Sequence, residues 1–102
     1  MSDRDTQDAT GDLLDCAVRV PEHVIFRSFA RETVALNLQT GTFHGLNPSA
    51  GRMVEIVSRV SRPRDAVTPL AEEYGIPDER VAADLRSLLR ELIDRGLLET
   101  DA

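Results

Sequence analysis

Nucleophilic, metal-assisted and phosphate chemistry each need particular side chains at particular spacings, and this 102-residue chain holds few of them. Its histidines are His23 and His44, and its single cysteine is Cys16. A nucleophile needs a base within hydrogen-bond reach, and no motif joins Cys16 or a serine to either histidine. A metal site built from Cys16, His23 and His44 matches no usual ligand spacing. The pairs Glu72-Glu73 and Asp78-Glu79 read as solvated helix faces and first-turn charges, not as an acid and base couple. Gly41, Gly45 and Gly51 fall in a turn, a strand and a helix, and their spacing is neither a P-loop nor a dinucleotide fingerprint. The expectation is a chain without catalytic residues, metal or cofactor.

Composition narrows the partners. Eighteen acidic residues against twelve basic ones, all arginine, give a formal charge of −6. Phosphate backbones attract clustered cations, so peptides or proteins fit this balance better than nucleic acid. Three Phe, one Tyr and no Trp leave little material for an aromatic cofactor cage. A lone cysteine forms no internal disulfide, which suits a reducing cytosol. The start, MSDRDTQDATGD, has no apolar h-region, and no run of about 18 apolar residues occurs, so neither export nor a membrane anchor is expected.

The length suits one domain. Residues 1–17 are polar and acidic and read as a disordered tail, although Leu13, Leu14 and Cys16 offer apolar groups that could pack back or form a sticky end. HVIFRSF, residues 23–29, is β-branched and aromatic and predicts a strand. TVALNLQ, residues 33–39, alternates, and its apolar set Val34, Leu36 and Leu38 predicts a strand with that face buried. Thr40-Gly41 reads as the turn of a hairpin. With a two-residue loop, Leu38 pairs with Phe43 and Asn37 with His44, which carries Phe43 onto the core face.

Asn47-Pro48 predicts an N-cap and first helical position, opening a helix to about Val60. A second helix, capped at Asp65 or Thr68, runs to Tyr74 and stops at Gly75. Pro77 opens the longest helix, whose apolar stripe is Val81, Leu85, Leu88, Leu89, Leu92 and Ile93, ending at Gly96. Leu97 and Leu98 are expected to pack beneath the domain and residues 99–102 to fray. The order predicts an α+β domain, a three-stranded antiparallel sheet followed by a three-helix bundle.

The third strand, Thr42 to Leu46, lies at the sheet edge and contains no charge and no Pro, the usual devices that blunt an edge. It is a template on which an extended peptide can add as a further strand, unless Gly45 bulges or a helix covers it. Three helices and a small sheet also match the parts of a winged-helix DNA-binding transcriptional regulator. Against that, the longest helix carries Asp78, Glu79, Asp84, Glu91 and Asp94 beside Arg80, Arg86, Arg90 and Arg95, and a DNA-reading helix is seldom net acidic. Arg59, Arg62 and Arg64 form the one basic patch.

The run VIFRSFARETVALNLQTGTFHGLNPSAGRMVEIV and the later EEYGIPDERVAADLRSLLRELIDRGLL resemble the PqqD family, peptide chaperones and recognition elements of ribosomal peptide natural-product pathways. The matching features are the TG turn, the LN pair before the helix cap, EEY before a short turn, and RGLL after the last helix. They span residues 18–98. The resemblance implies a winged-helix-like fold that holds the leader of a precursor peptide between third strand and third helix, and hands it, without catalysis, to a modifying enzyme or leader peptidase. Lasso peptide pathways use free-standing elements of this size, and this chain resembles one. Carried over by position, the strand side is Thr42, Phe43, His44, Gly45 and Leu46, and the helix side is Arg80, Val81, Asp84, Leu85 and Leu88. Since Phe43 is expected to face the core, His44, Leu46 and the backbone between them are the better contacts. A strand-exchanged dimer is also compatible with an open edge.

Overall fold

The computed structural model describes residues 12–100, so the sequence expectations for residues 1–11 and 101–102 lie outside the described residues. Three strands, β2 (Val24–Ser28), β3 (Thr33–Asn37) and β4 (Thr42–Leu46), form an antiparallel meander in the order β2-β3-β4. Helices α1 (Pro48–Val57), α2 (Val67–Tyr74) and α3 (Asp78–Asp94) follow, in the expected order. A second, two-stranded sheet joins β1 (Val18–Arg19) to β5 (Glu99–Thr100). The α+β class, with a three-stranded sheet followed by helices, is as the sequence indicated.

The helix boundaries follow from local chemistry. Asn47 Oδ1 accepts the Ala50 N–H at 2.8 Å, and Pro48 takes the first helical position, where its missing N–H costs nothing. Gly75 (φ +66°) and Gly96 (φ +75°) end α2 and α3 in left-handed backbone that other residues adopt at a cost. Neither proposed cap of α2 is used: a 3-10 turn, Pro63–Ala66, leads directly into Val67, and the Thr68 hydroxyl instead donates to Asp78 at 2.8 Å. Val81, Leu85, Leu89 and Leu92 put the expected apolar stripe of α3 wholly inside, with Leu88 and Ile93 at its margins. Full burial of such side chains stabilises by roughly 1.5–3 kcal/mol each, which makes α3 the mainstay of the core. Leu97 and Leu98 fold back into it as expected.

Two expectations are corrected. The hairpin between β3 and β4 has four loop residues, 38–41, in place of two. Asn37 Oδ1 accepts the N–H groups of Gln39 and Thr40, at 2.9 and 3.3 Å, and so builds the turn from its own side chain. Leu36 therefore pairs with Phe43, Ala35 with His44 and Asn37 with Thr42. The buried face of β3 is also the opposite one: Thr33, Ala35 and Asn37 point to the helices, while Leu38 (55% exposed) and Phe43 (73% exposed) face out. Close approach of α1 explains the inversion. A Cβ on Gly51 would lie 2.4 Å from Thr33 Oγ1, so the helix sits on the sheet where side chains are small. Thr33 satisfies its hydroxyl with Ser28 at 3.2 Å, and Asn37 its amide oxygen in the turn.

The expected tail and frayed end also change within the described residues. Leu13 and Leu14 are buried in a 3-10 turn, Leu13–Asp15, and Glu99–Thr100 is held by β1. Ion pairs fasten the turn. Asp12 accepts the Leu14 N–H, both Nε and Nη2 of Arg86 at 3.1 and 3.0 Å, and Arg64 Nη2 at 2.9 Å. Asp15 accepts Arg64 Nε at 2.6 Å. A polar sequence thus docks through one leucine pair and one carboxylate between two arginines.

Leu14→Ala is expected to lower the unfolding free energy by about 2–5 kcal/mol in denaturant titrations, the range for a cavity in a packed core. A change below about 0.5 kcal/mol, the scale of a surface substitution, would show that the turn does not dock. The Arg86 hydrogen bond, aided by the Leu14 amide and Arg64, holds the Asp12 carboxyl down at about 2, from an ordinary 3.8. A depressed carboxylate contributes stability that is complete above 3.8 and lost as pH falls toward about 2. Acid titration of stability should therefore be shallower over that window in Asp12→Asn, and equal slopes would remove Asp12 from the clamp.

Candidate functional site

The backbone of β4 sets what its free edge can do. Backbone groups along a strand alternate between its two sides. The Phe29 N–H donates to the Glu32 carbonyl and the Leu38 N–H to the His23 carbonyl, each at 2.7 Å. Even-numbered residues of β3 thus face β2, and Thr33, Ala35 and Asn37 direct their groups to Leu46, His44 and Thr42 of β4. Phe43 and Gly45 are left with N–H and C=O turned to the open edge. No bulge interrupts the β3–β4 register and no strand pairs with the far side of β4 among the described residues.

Helix α3 runs antiparallel alongside. His44 Nε2 lies 3.5 Å from Glu91 Oε2, an ion pair when the imidazole is protonated. The same oxygen accepts Arg95 Nε at 3.3 Å. A cleft of about 380 Å³, lined by Asn37, Thr42, Phe43, His44, Arg95 and Leu97, continues through Arg95 into an open groove flanked by Ser87, Arg90, Glu91 and Asp94. From Arg95 near Thr42 to Glu91 beside His44 is one helical turn, about 6 Å, against about 6.6 Å for two strand residues. Strand and helix therefore keep step, and the next turn brings Leu88 level with Leu46.

The structure sorts the residues singled out by sequence. Thr42 and Gly45 are exposed, His44 is half-buried against α3, and Leu46 is buried. Phe43, expected in the core, stands on the outer face of the sheet beside Leu36 and, one strand further, Ile25. On α3, Val81 and Leu85 are fully buried and belong to the core, so they present no surface to the groove. Leu88 remains half-buried at the margin, and Arg80 and Asp84 are exposed and lie 3.5 Å apart. Glu91 and Arg95 were missed. Their spacing, Asp84, Leu88, Glu91, Arg95, is the i, i+4, i+7 line of one helix face, and following that line toward the C-terminus would have found them.

Two of the three arginines of the basic patch are paired with carboxylates: Arg64 with Asp12 and Asp15, and Arg59 with Glu55 at 2.6 Å. No group of three or more His, Cys, Asp or Glu residues among the described ones is arranged to hold a metal ion, and no described helix is long and apolar enough to cross a membrane.

Comparison with known proteins gives a consistent picture. A family model described as coenzyme PQQ synthesis protein D (PqqD) matches residues 32–98. The structure of TbiB1 in complex with the TbiA(beta) leader peptide is similar at a TM-score of 0.75 and 33% identity, covering 82% of this chain and 98% of that one. Lasso peptide synthetase B1 complexed with the leader peptide matches at a TM-score of 0.75 and 20% identity, covering 81% and 98%, a likeness of fold. No curated protein matches.

Amide hydrogen exchange should alternate along the edge strand. The N–H groups of His44 and Leu46, bonded to β3, are expected to be protected, and those of Phe43 and Gly45 to exchange close to the rate of free chain. Protection of Phe43 and Gly45 in the isolated protein would mean that the edge is covered.

Proposed function

From its membership of the PqqD family, to which this chain belongs, we propose that the protein binds the leader region of a ribosomally made precursor peptide as a fourth strand on β4. One observation carries the reading: among the described residues the edge of β4 offers unpaired backbone groups at Phe43 and Gly45, beside a groove that ends on α3. Further support is the TbiB1 complex, a chain 33% identical whose partner is a leader peptide.

The mechanism follows from the geometry. An added strand exchanges hydrogen bonds with the N–H and C=O of Phe43 and of Gly45. Four such bonds at about 1 kcal/mol net contribute roughly 4 kcal/mol, equivalent to millimolar binding before the cost of ordering the peptide. The backbone alone sets register and supplies little affinity. Side chains must supply the rest, and the leader residue opposite His44 is directed between β4 and α3, toward Leu88, Glu91 and Arg95. Thr42 lines the same cleft, and Asp84 and Arg80, one and two turns beyond Leu88 on α3, are the proposed contacts for charges on a leader that runs past the end of β4. The protein performs no chemical step in this reading. It raises the effective concentration of precursor at a modifying enzyme or leader peptidase, in a reducing cytosol where Cys16 stays a thiol.

Isotope-edited NMR with the leader of the precursor encoded beside this gene is expected to shift residues 42–46 together with Leu88, Glu91 and Arg95. Shifts confined to Arg59–Arg64 would contradict the reading. Gly45→Pro removes an edge donor without touching the β3 ladder, since Pro is tolerated where its N–H would face outward. Binding should weaken about fivefold, the equivalent of one hydrogen bond at about 1 kcal/mol, with the fold retained.

A further inference from the structure

The outer face of β4 holds a slot that the groove on α3 does not use. Residues in register across a sheet carry their side chains to the same face. Phe43 and Gly45 both point outward, so the added-strand residues opposite them also point outward, over the sheet and away from α3. Opposite Phe43 they meet an exposed aromatic ring that continues the row Ile25, Leu36, Phe43. Opposite Gly45 they meet a gap, because no Cβ stands there.

That gap is lined on one side by a carboxylate. Glu32 Oε2 lies 3.1 Å from the point a Gly45 Cβ would occupy, so the acid leans across the strand onto the glycine. Glu32 is exposed, and its side chain has no hydrogen bond or ion pair among the described residues. Val34 is the neighbour of Gly45 on β3, and Arg27 stands one strand further in the same row. An anion beside an apolar floor suits a long side chain with an aliphatic stem and a cationic head. The chain's net charge of −6 also favours a basic partner.

We propose that the outer face of β4 selects the peptide: a basic residue opposite Gly45 extends over the glycine to Glu32, and an apolar residue two positions away lies on Phe43. This rests on strand addition at β4 and deepens it by naming the leader's chemistry, a basic and an apolar residue at spacing two. The spacing is the same for parallel and antiparallel addition, because side chains repeat with period two in either direction.

The probe is a phage-displayed library of random decapeptides selected on the folded protein, with the selected peptides re-measured on variants by fluorescence anisotropy. Enriched peptides are expected to carry Arg or Lys and an apolar residue two positions apart. Glu32→Arg should weaken them at least tenfold, and exchanging the basic residue of the peptide for Glu should restore binding to that variant. Gly45→Ala, whose Cβ meets only the flexible end of Glu32, should weaken them while leaving the NMR spectrum of a folded protein. Peptides that bind across residues 42–46 but without charge preference, or equally well to Glu32→Arg, overturn the charge assignment and leave strand addition standing. Failure to enrich any peptide at residues 42–46 overturns strand addition and this inference with it.

Discussion

The phase of the three-stranded sheet is the constraint on which everything else depends. A strand has two faces, and a shift of one residue exchanges them all. In this protein the phase is set where α1 meets the sheet, because Gly51 sits so close to Thr33 that a Cβ has no room. Once Thr33, Ala35 and Asn37 face the helices, His44 must point to α3 and Phe43 must point away. The same phase decides that the backbone groups of Phe43 and Gly45, and not those of His44, meet the open edge. Packing at one helix–strand contact is thereby translated into the polarity of the open edge.

The second structural element of the site is helix α3, held by four fully buried apolar side chains. Its inner stripe anchors it, and Glu91 and Arg95 on the neighbouring line wall the groove, with Leu88 half-buried beside them. The His44 contact to Glu91 ties this wall to the edge strand without closing the edge. A well-packed floor with a free edge suits recognition of an extended chain, since a receptor already folded leaves little of the binding energy to be spent on ordering it. Asp12, Arg64 and Arg86 hold the start of the described chain against α3 and the turn before α2, so the back of that helix is covered where its front is open.

Much of this was legible in the sequence, for identifiable reasons. Asn47-Pro48, Gly75, Pro77 and Gly96 punctuate the helices, and the stripe from Val81 to Leu92 has a period no strand would share. The phase of β3 was not legible. Val34, Leu36 and Leu38 look like a buried set, and Thr33, Ala35 and Asn37 do not, yet the small and self-satisfied residues are the ones a close helix admits. Binary patterning misleads when the outer face is itself apolar, as the row Ile25, Leu36, Phe43 is. Asn37 hid the turn as well, since its side chain lengthens the loop while leaving Thr40-Gly41 looking like a hairpin tip. The docking of Leu13 and Leu14 depends on arginines 49 to 74 residues away, a separation that local composition does not report.

The most direct measurement is of hydrogen bonds across the edge itself. Trans-hydrogen-bond scalar couplings between labelled amides of the protein and carbonyls of a labelled leader peptide identify donor and acceptor residue by residue. Couplings from the Phe43 and Gly45 amides, with none from His44, are the predicted result. A bound peptide that shows no coupling to either, or that couples through His44, would contradict the assignment of β4 as the strand-accepting edge.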